Sequence, residues 1–100
     1  MYIADLHCDT LSALRGKKRQ GNVVTLMEND LQLDVGKMET GNYILQNFAV
    51  FVDWGEEEDA YACAKEQIEI FKKEINQCRG RIRQARTFQE MEENKKNGIL

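Results

Sequence analysis

Apolar and polar side chains are spaced along this chain in the order strand, helix, strand, helix, strand. Ile3 to Asp9 reads as a short strand, regular from about residue 2 to 8, in which residues two apart share a side. A helical stretch follows from Thr10 to about Lys18 with Leu11 and Leu14 together, and Gly16 and Gly21 punctuate what comes next. Val23 to Leu26 suggests a brief extended piece. Leu31, Leu33 and Val35 alternate with polar neighbours, again predicting extended chain after the turn signal Asn29-Asp30. Gly41-Asn42 marks another turn, and Tyr43 to Val52 is almost wholly apolar, as a strand covered on both faces should be.

The helix after that strand has the clearest period. Tyr61, Ala64, Ile68, Phe71, Ile75 and Cys78 recur at alternating steps of three and four, predicting one buried stripe. Asp53 and Glu56 have capping-box spacing, with Asp in place of Ser or Thr. Glu57, Glu58 and Asp59 put negative charge at the positive end of the helix dipole, which explains that acidic run without a metal, and Lys72 and Lys73 lie nearer the other end. Arg79 to Arg86 holds Ile82 and little else that is apolar, so a strand there is short and weak. Its arginines (79, 81, 83 and 86) read as a solvated connection rather than an anion site. Thr87 with Glu90 is a capping box for a second helix burying Phe88 and Met91; Lys95 and Lys96 fall in its last turn, and Asn97-Gly98 ends it. Ile99 and Leu100 then look like the start of another buried strand. The order implies parallel strands joined by crossover helices. With so few strands the sheet is expected to be part of a larger one, with unpaired edges and an uncovered helix face.

Composition narrows the function classes. One hundred residues, 42% hydrophobic, suit one domain with a modest core. A net charge of −3 and a pI near 5.2 give no electrostatic footprint for nucleic acid. The basic cluster Arg15, Lys17, Lys18, Arg19 is short, without interleaved aromatics, and reads as a solvated helix end or loop. No apolar run approaches the ~18 residues that span a bilayer, and the amino terminus carries Asp5 where a secretory signal needs a basic start. No membrane partner is therefore expected. Cys8, Cys63 and Cys78 are an odd number without Cys-x-x-Cys spacing, which argues against a disulfide framework or zinc ribbon. Reduced thiols in a cytoplasmic protein account for them.

One stretch reads as chemistry. His7 is the chain's only histidine, and strand alternation projects it beside Asp9 while Leu6 and Cys8 turn away into apolar packing. An imidazole nitrogen and a carboxylate oxygen so placed can both reach one divalent cation such as zinc. Zinc takes three or four donors, so two ligands leave the site incomplete. The same alternation opposes Cys8 as a nucleophile activated by His7. In the Tyr43–Val52 stretch, Gln46 and Asn47 are the polar exceptions: either lines a polar cavity or pairs with nearby backbone.

Asp5-Leu6-His7-Cys8-Asp9-Thr10-Leu11 resembles the first-strand motif of the membrane dipeptidase family, the renal-dipeptidase-like zinc peptidases, which begin their barrel with Asp-x-His-x-Asp. Leu31-Gln32-Leu33-Asp34 and Met38 to Val52 are similar to that family's second-strand region, where a Gly-containing turn leads into a strand carrying Gln. Amidohydrolases and the polymerase-and-histidinol-phosphatase family put His-x-His where this chain has Asp9 second. The resemblance spans essentially all 100 residues but only about the first third of a family member. It implies an α/β fold that is the amino-terminal portion of a (β/α)8 TIM-type barrel of ~250 residues. It further implies a metal-dependent dipeptidase in which a hydroxide held at a two-zinc centre attacks a dipeptide substrate, with homodimers common. His7 and Asp9 would ligate one zinc. The family's bridging glutamate and its two later histidines have no counterpart here, so these 100 residues alone are expected to be inactive.

Two other readings stay open. A small non-catalytic α/β interaction domain would carry no zinc. Another barrel metallohydrolase, acting on a phosphate ester or cyclic amide, would show different further ligands.

Overall fold

The computed structural model describes residues 1–53, 55 and 59–100. Its elements are β1 (Ile3–Cys8), α1 (Thr10–Arg19), α2 (Val35–Thr40), β2 (Tyr43–Phe48), α3 (Ala60–Gln77) and α4 (Phe88–Lys96). β1 and β2 pair in parallel, with Ile3 against Tyr43, Asp5 against Gln46 and Cys8 against Phe48. Parallel neighbours require a crossover, and α1 and α2 supply it. The chain is thus an α/β fold with two parallel strands and four helices among its described residues. No helix there is long and apolar enough to cross a membrane.

Local chemistry explains where most elements stop and start. The Asp34 carboxylate accepts from the Lys37 N–H at 2.7 Å and so caps α2. Thr87 Oγ1 accepts from Glu90 N–H at 3.1 Å at the head of α4. The other arm of that capping box has slipped by one residue, because Glu90 Oε2 receives the N–H of Arg86 rather than of Thr87. Asn97 and Gly98 close α4, with Gly98 at φ 68°, a left-handed conformation that glycine adopts without a side-chain clash. Asn42, at φ 59°, makes the turn into β2 and is one of the few other residues suited to that region.

The core gathers Leu14, Leu26, Val35, Met38, Cys78 and Ile82. It therefore lies between α1, α2 and the end of α3, beside the sheet rather than on β1. β1 is exposed along most of its length, and Leu6 keeps 71% of its surface open instead of turning into apolar packing.

Several elements differ from the pattern-based reading. Val23–Leu26 and Leu31–Leu33 form no strand; they belong to an irregular loop, and Val35 opens α2 instead of continuing extended chain. Gly16 lies inside α1 rather than after it. β2 ends at Phe48, although Ala49 N–H still reaches Cys8 O at 3.0 Å. α3 begins at Ala60 with Asp59 as its cap, accepting from Ala62 N–H at 3.0 Å. Asp53 instead accepts from Gly55 N–H, while Glu56, Glu57 and Glu58 lie outside the described residues.

The buried face of α3 is rotated from the apolar stripe. Cys63, Gln67 and Glu74 are its buried residues, while Tyr61 is 78% exposed and Ile68 is also exposed. Polar anchors set that rotation: Gln67 Nε2 donates to Phe51 O at 2.6 Å, and Glu74 Oε1 accepts from Leu26 N–H at 2.6 Å. Phe88 is likewise 70% exposed, so only Met91 of its expected pair is half-buried. The segment after α3 forms no strand, yet Ile82 is buried in the core. Its neighbours bond Leu100 on both sides, with Arg83 N–H to Leu100 O at 2.7 Å and Leu100 N–H to Arg81 O at 3.3 Å.

Candidate metal centre

His7 is the penultimate residue of β1, and Asp9 is the residue just before the first turn of α1. An Asp in that position ordinarily caps the helix with its carboxylate. Here no side-chain cap bond forms, and Asp9 Oδ1 stands 3.1 Å from His7 Nε2 instead. The helix is held at this point through the Asp9 backbone, whose carbonyl accepts from Ala13 N–H at 3.2 Å and from Ser12 Oγ at 3.0 Å. The imidazole and the carboxylate are both more than half exposed, facing a cleft rather than the core.

Asp5 shares the strand face with His7. Its Oδ2 accepts from Gln46 Nε2 at 2.8 Å across the β1–β2 pair, and its Oδ1 lies 3.5 Å from His7 N–H. Gln46 therefore orients a carboxylate next to the His7–Asp9 pair while also donating to its neighbour's carbonyl, Asn47 O, at 3.0 Å. Its own Oε1 is buried without a hydrogen-bond partner. The other polar exception, Asn47, is exposed.

The cleft has a volume of about 770 Å³ and carries Asp5, His7, Asp9 and Asp30 on its walls. Among the described residues no lysine or arginine lines it, so its field favours a cation. Among the described residues no three His, Cys, Asp or Glu side chains come together in metal-binding range. The donor set is thus one imidazole and one carboxylate in contact, chemically suited to a divalent ion but short of a full shell. No family model, curated protein or solved structure matches the chain.

Sequence reading paired His7 with Asp9 but assigned nothing to Asp5 or Asp30. The alternation that joined His7 to Asp9 also puts Asp5 on that face, so the signal was present. Asp30 carries only a turn signal, which does not tell that the loop brings it to this cleft. Cys8 is half-buried and free. The basic cluster does lie at the end of α1, with Arg19 exposed, but it is not simply solvated: Arg15 is buried with Nε 3.0 Å from Glu66 Oε2, Arg19 reaches the same carboxylate, and Lys18 bonds Glu74. Hydrogen bonds from Arg19 and Arg15 hold the Glu66 carboxyl below its ordinary range despite the opposing effect of burial. Arg81, from the arginine segment, pairs with Glu39, which raises its guanidinium further above its ordinary range.

A second hollow, about 660 Å³, runs beside β2 between the strand and α3, with Ile44, Phe48, Ile68, Phe71 and Ile75 on its sides. It holds neither His7 nor Asp9. Of the apolar stripe read from the sequence of α3, Ile68, Phe71 and Ile75 line this hollow, while Cys78 joins the core and Tyr61 is exposed.

Proposed function

We propose that His7 and Asp9 are two ligands of a zinc centre in a metal-dependent dipeptidase of the membrane dipeptidase type. On this reading the 100 residues are the amino-terminal portion of its (β/α)8 barrel, carrying two of the eight strands. The observation that carries it is the Asp9 carboxylate drawn away from its helix and onto His7 Nε2 at 3.1 Å. The parallel β1–β2 pair with a helical crossover suits such a barrel, and His7 and Asp9 at the carboxyl end of β1 suit the rule that barrel chemistry sits there. When bound, zinc supplies Lewis acidity toward a peptide carbonyl and toward the attacking water. This chain's part is to present the His7 imidazole and the Asp9 carboxylate on one cleft wall, with Asp5 held beside them by Gln46. Free cysteines fit a cytoplasmic protein. A dipeptide is the substrate class, two zinc ions complete the site, and a homodimer is the assembly.

The test compares zinc binding and chelator-sensitive dipeptide hydrolysis in the 100-residue chain and in the product of an extended reading frame. The short chain should bind zinc weakly and hydrolyse nothing. His7→Ala should weaken binding roughly tenfold or more, since one donor of two is lost. Hydrolysis should appear only in the longer product and vanish with chelator. Zinc binding indifferent to both His7→Ala and Asp9→Asn would refute the assignment and favour a non-catalytic interaction domain.

A further inference from the structure

The loop between α1 and α2 is neither a strand nor a slack connection. Val35 N–H donates to Leu26 O at 2.9 Å, closing the chain on itself at a neck. The enclosed segment falls in the ~6–16-residue range of compact Ω-loops. Inside it, Asn29 ties the turns together. Its Nδ2 donates to Thr25 O at 2.9 Å and Leu33 O at 3.0 Å, and its Oδ1 accepts from Leu31 N–H at 2.8 Å. Asn29 N–H donates to Asp34 Oδ2 at 3.0 Å, and Lys37 Nζ binds the carbonyls of Asn29 and Leu31. The tip, Asp30 to Leu33, lines the same cleft as His7 and Asp9. On the other side of the neck, Glu74 of α3 is 1% exposed. Its Oε1 accepts the Leu26 N–H at 2.6 Å, and its Oε2 accepts from Lys18 Nζ at 3.3 Å.

We propose that the Leu26–Val35 loop is a preformed wall of the His7–Asp9 cleft and that Glu74, remote from the cleft, is its positioning residue. A carboxylate buried this fully is costly unless it is paired, and its partners here are the loop's neck and α1. Glu74 thereby fixes how far Asp30–Leu33 stand from the metal pair and which ligand side chains fit between them. The last step rests on the metal reading above; the positioning of the loop does not.

Two variants separate reach from charge. Glu74→Asp keeps the charge beside Lys18 but is one methylene too short for Leu26 N–H. Glu74→Gln loses the charge but retains the Oε1 acceptor. Amide hydrogen exchange in the 100-residue chain should accelerate roughly tenfold or more at Asn29, Leu31 and Val35 in Glu74→Asp, with α4 unchanged. Glu74→Gln should stay within about threefold of the parent. Loop exchange faster in Glu74→Gln than in Glu74→Asp, or unchanged in both, overturns the proposal. With Mn²⁺ as the paramagnetic probe, the parent should show broadening at Cys8 and Thr10 and also at Leu31 and Leu33. Glu74→Asp should lose only the second pair. Absence of broadening at Cys8 and Thr10 in the parent sinks the metal reading, while the exchange arm still decides the role of Glu74.

Discussion

Asp34 shows how much one side chain can organise. It is buried, caps α2 through Lys37 N–H, and accepts from Asn29 N–H at the start of the loop tip. Burial pushes its carboxyl upward, but the two backbone donors and the Lys37 ammonium outweigh that and leave it below its ordinary 3.8. A group whose folded value is depressed stabilises the fold above its unfolded value and loses that contribution as pH falls through the folded one. Urea unfolding followed downward from neutral pH should therefore show stability declining once pH drops below about 3.8, and Asp34→Ala should flatten the decline. At neutral pH the same substitution should cost about 1–3 kcal/mol, since it removes a cap and leaves two part-buried backbone donors without that partner. Cys78 acts from the alkaline side. Burial, with Glu74 adding and Arg81 opposing, pushes its thiol above the ordinary 9.0, so its effect on stability turns unfavourable as pH climbs past that value. Cys78→Ala should remove that alkaline loss, at a separate cost in packing.

Elements whose cause is local were legible in the sequence. The existence of β1 was signalled locally, although the inward turn that alternation gave Leu6 did not follow, and α1 came from Leu11 and Leu14 and α4 from Thr87, Glu90 and Gly98, each within a few residues of its own signal. Elements decided by distant partners were not. α2 is a single short helix containing Gly36, too brief for periodicity to register, and it forms on the Asp34 cap and the burial of Val35 and Met38. α3 was legible as a helix, but its orientation was not. Beside Cys63, the side chains that bury are Gln67 and Glu74, which no hydropathy pattern would choose, because their partners Phe51 O and Leu26 N–H are far along the chain. Basic residues on α1 meet acids on α3 for the same long-range reason. His7 and Asp9 were legible as a pair because they lie two residues apart, although Asp9 falls in the turn after β1 rather than in the strand; the loop beside them was not, because its fold depends on contacts such as Leu26 N–H to Glu74 that no local pattern reveals.

For the molecule as a whole, stability and candidate chemistry occupy different places. The core of Leu14, Leu26, Val35, Met38, Cys78 and Ile82 sits away from β1, whose side chains are mostly exposed. Leu14→Ala and Leu26→Ala should each cost about 2–5 kcal/mol in chemical denaturation. Leu6→Ala should cost under about 1 kcal/mol, because the side chain is already mostly in water. A Leu6→Ala cost equal to that of Leu14→Ala would show that β1 carries the core after all. The same separation gives the unused cap of α1 a further meaning. Asp9→Ser places a compact hydroxyl at a helix start whose N–H groups receive no side-chain oxygen, so α1 should firm up by about 0.5–1 kcal/mol. That replacement also strips the carboxylate from His7. On the proposed zinc assignment, selection for thermal resistance and selection for metal retention would therefore pull residue 9 in opposite directions.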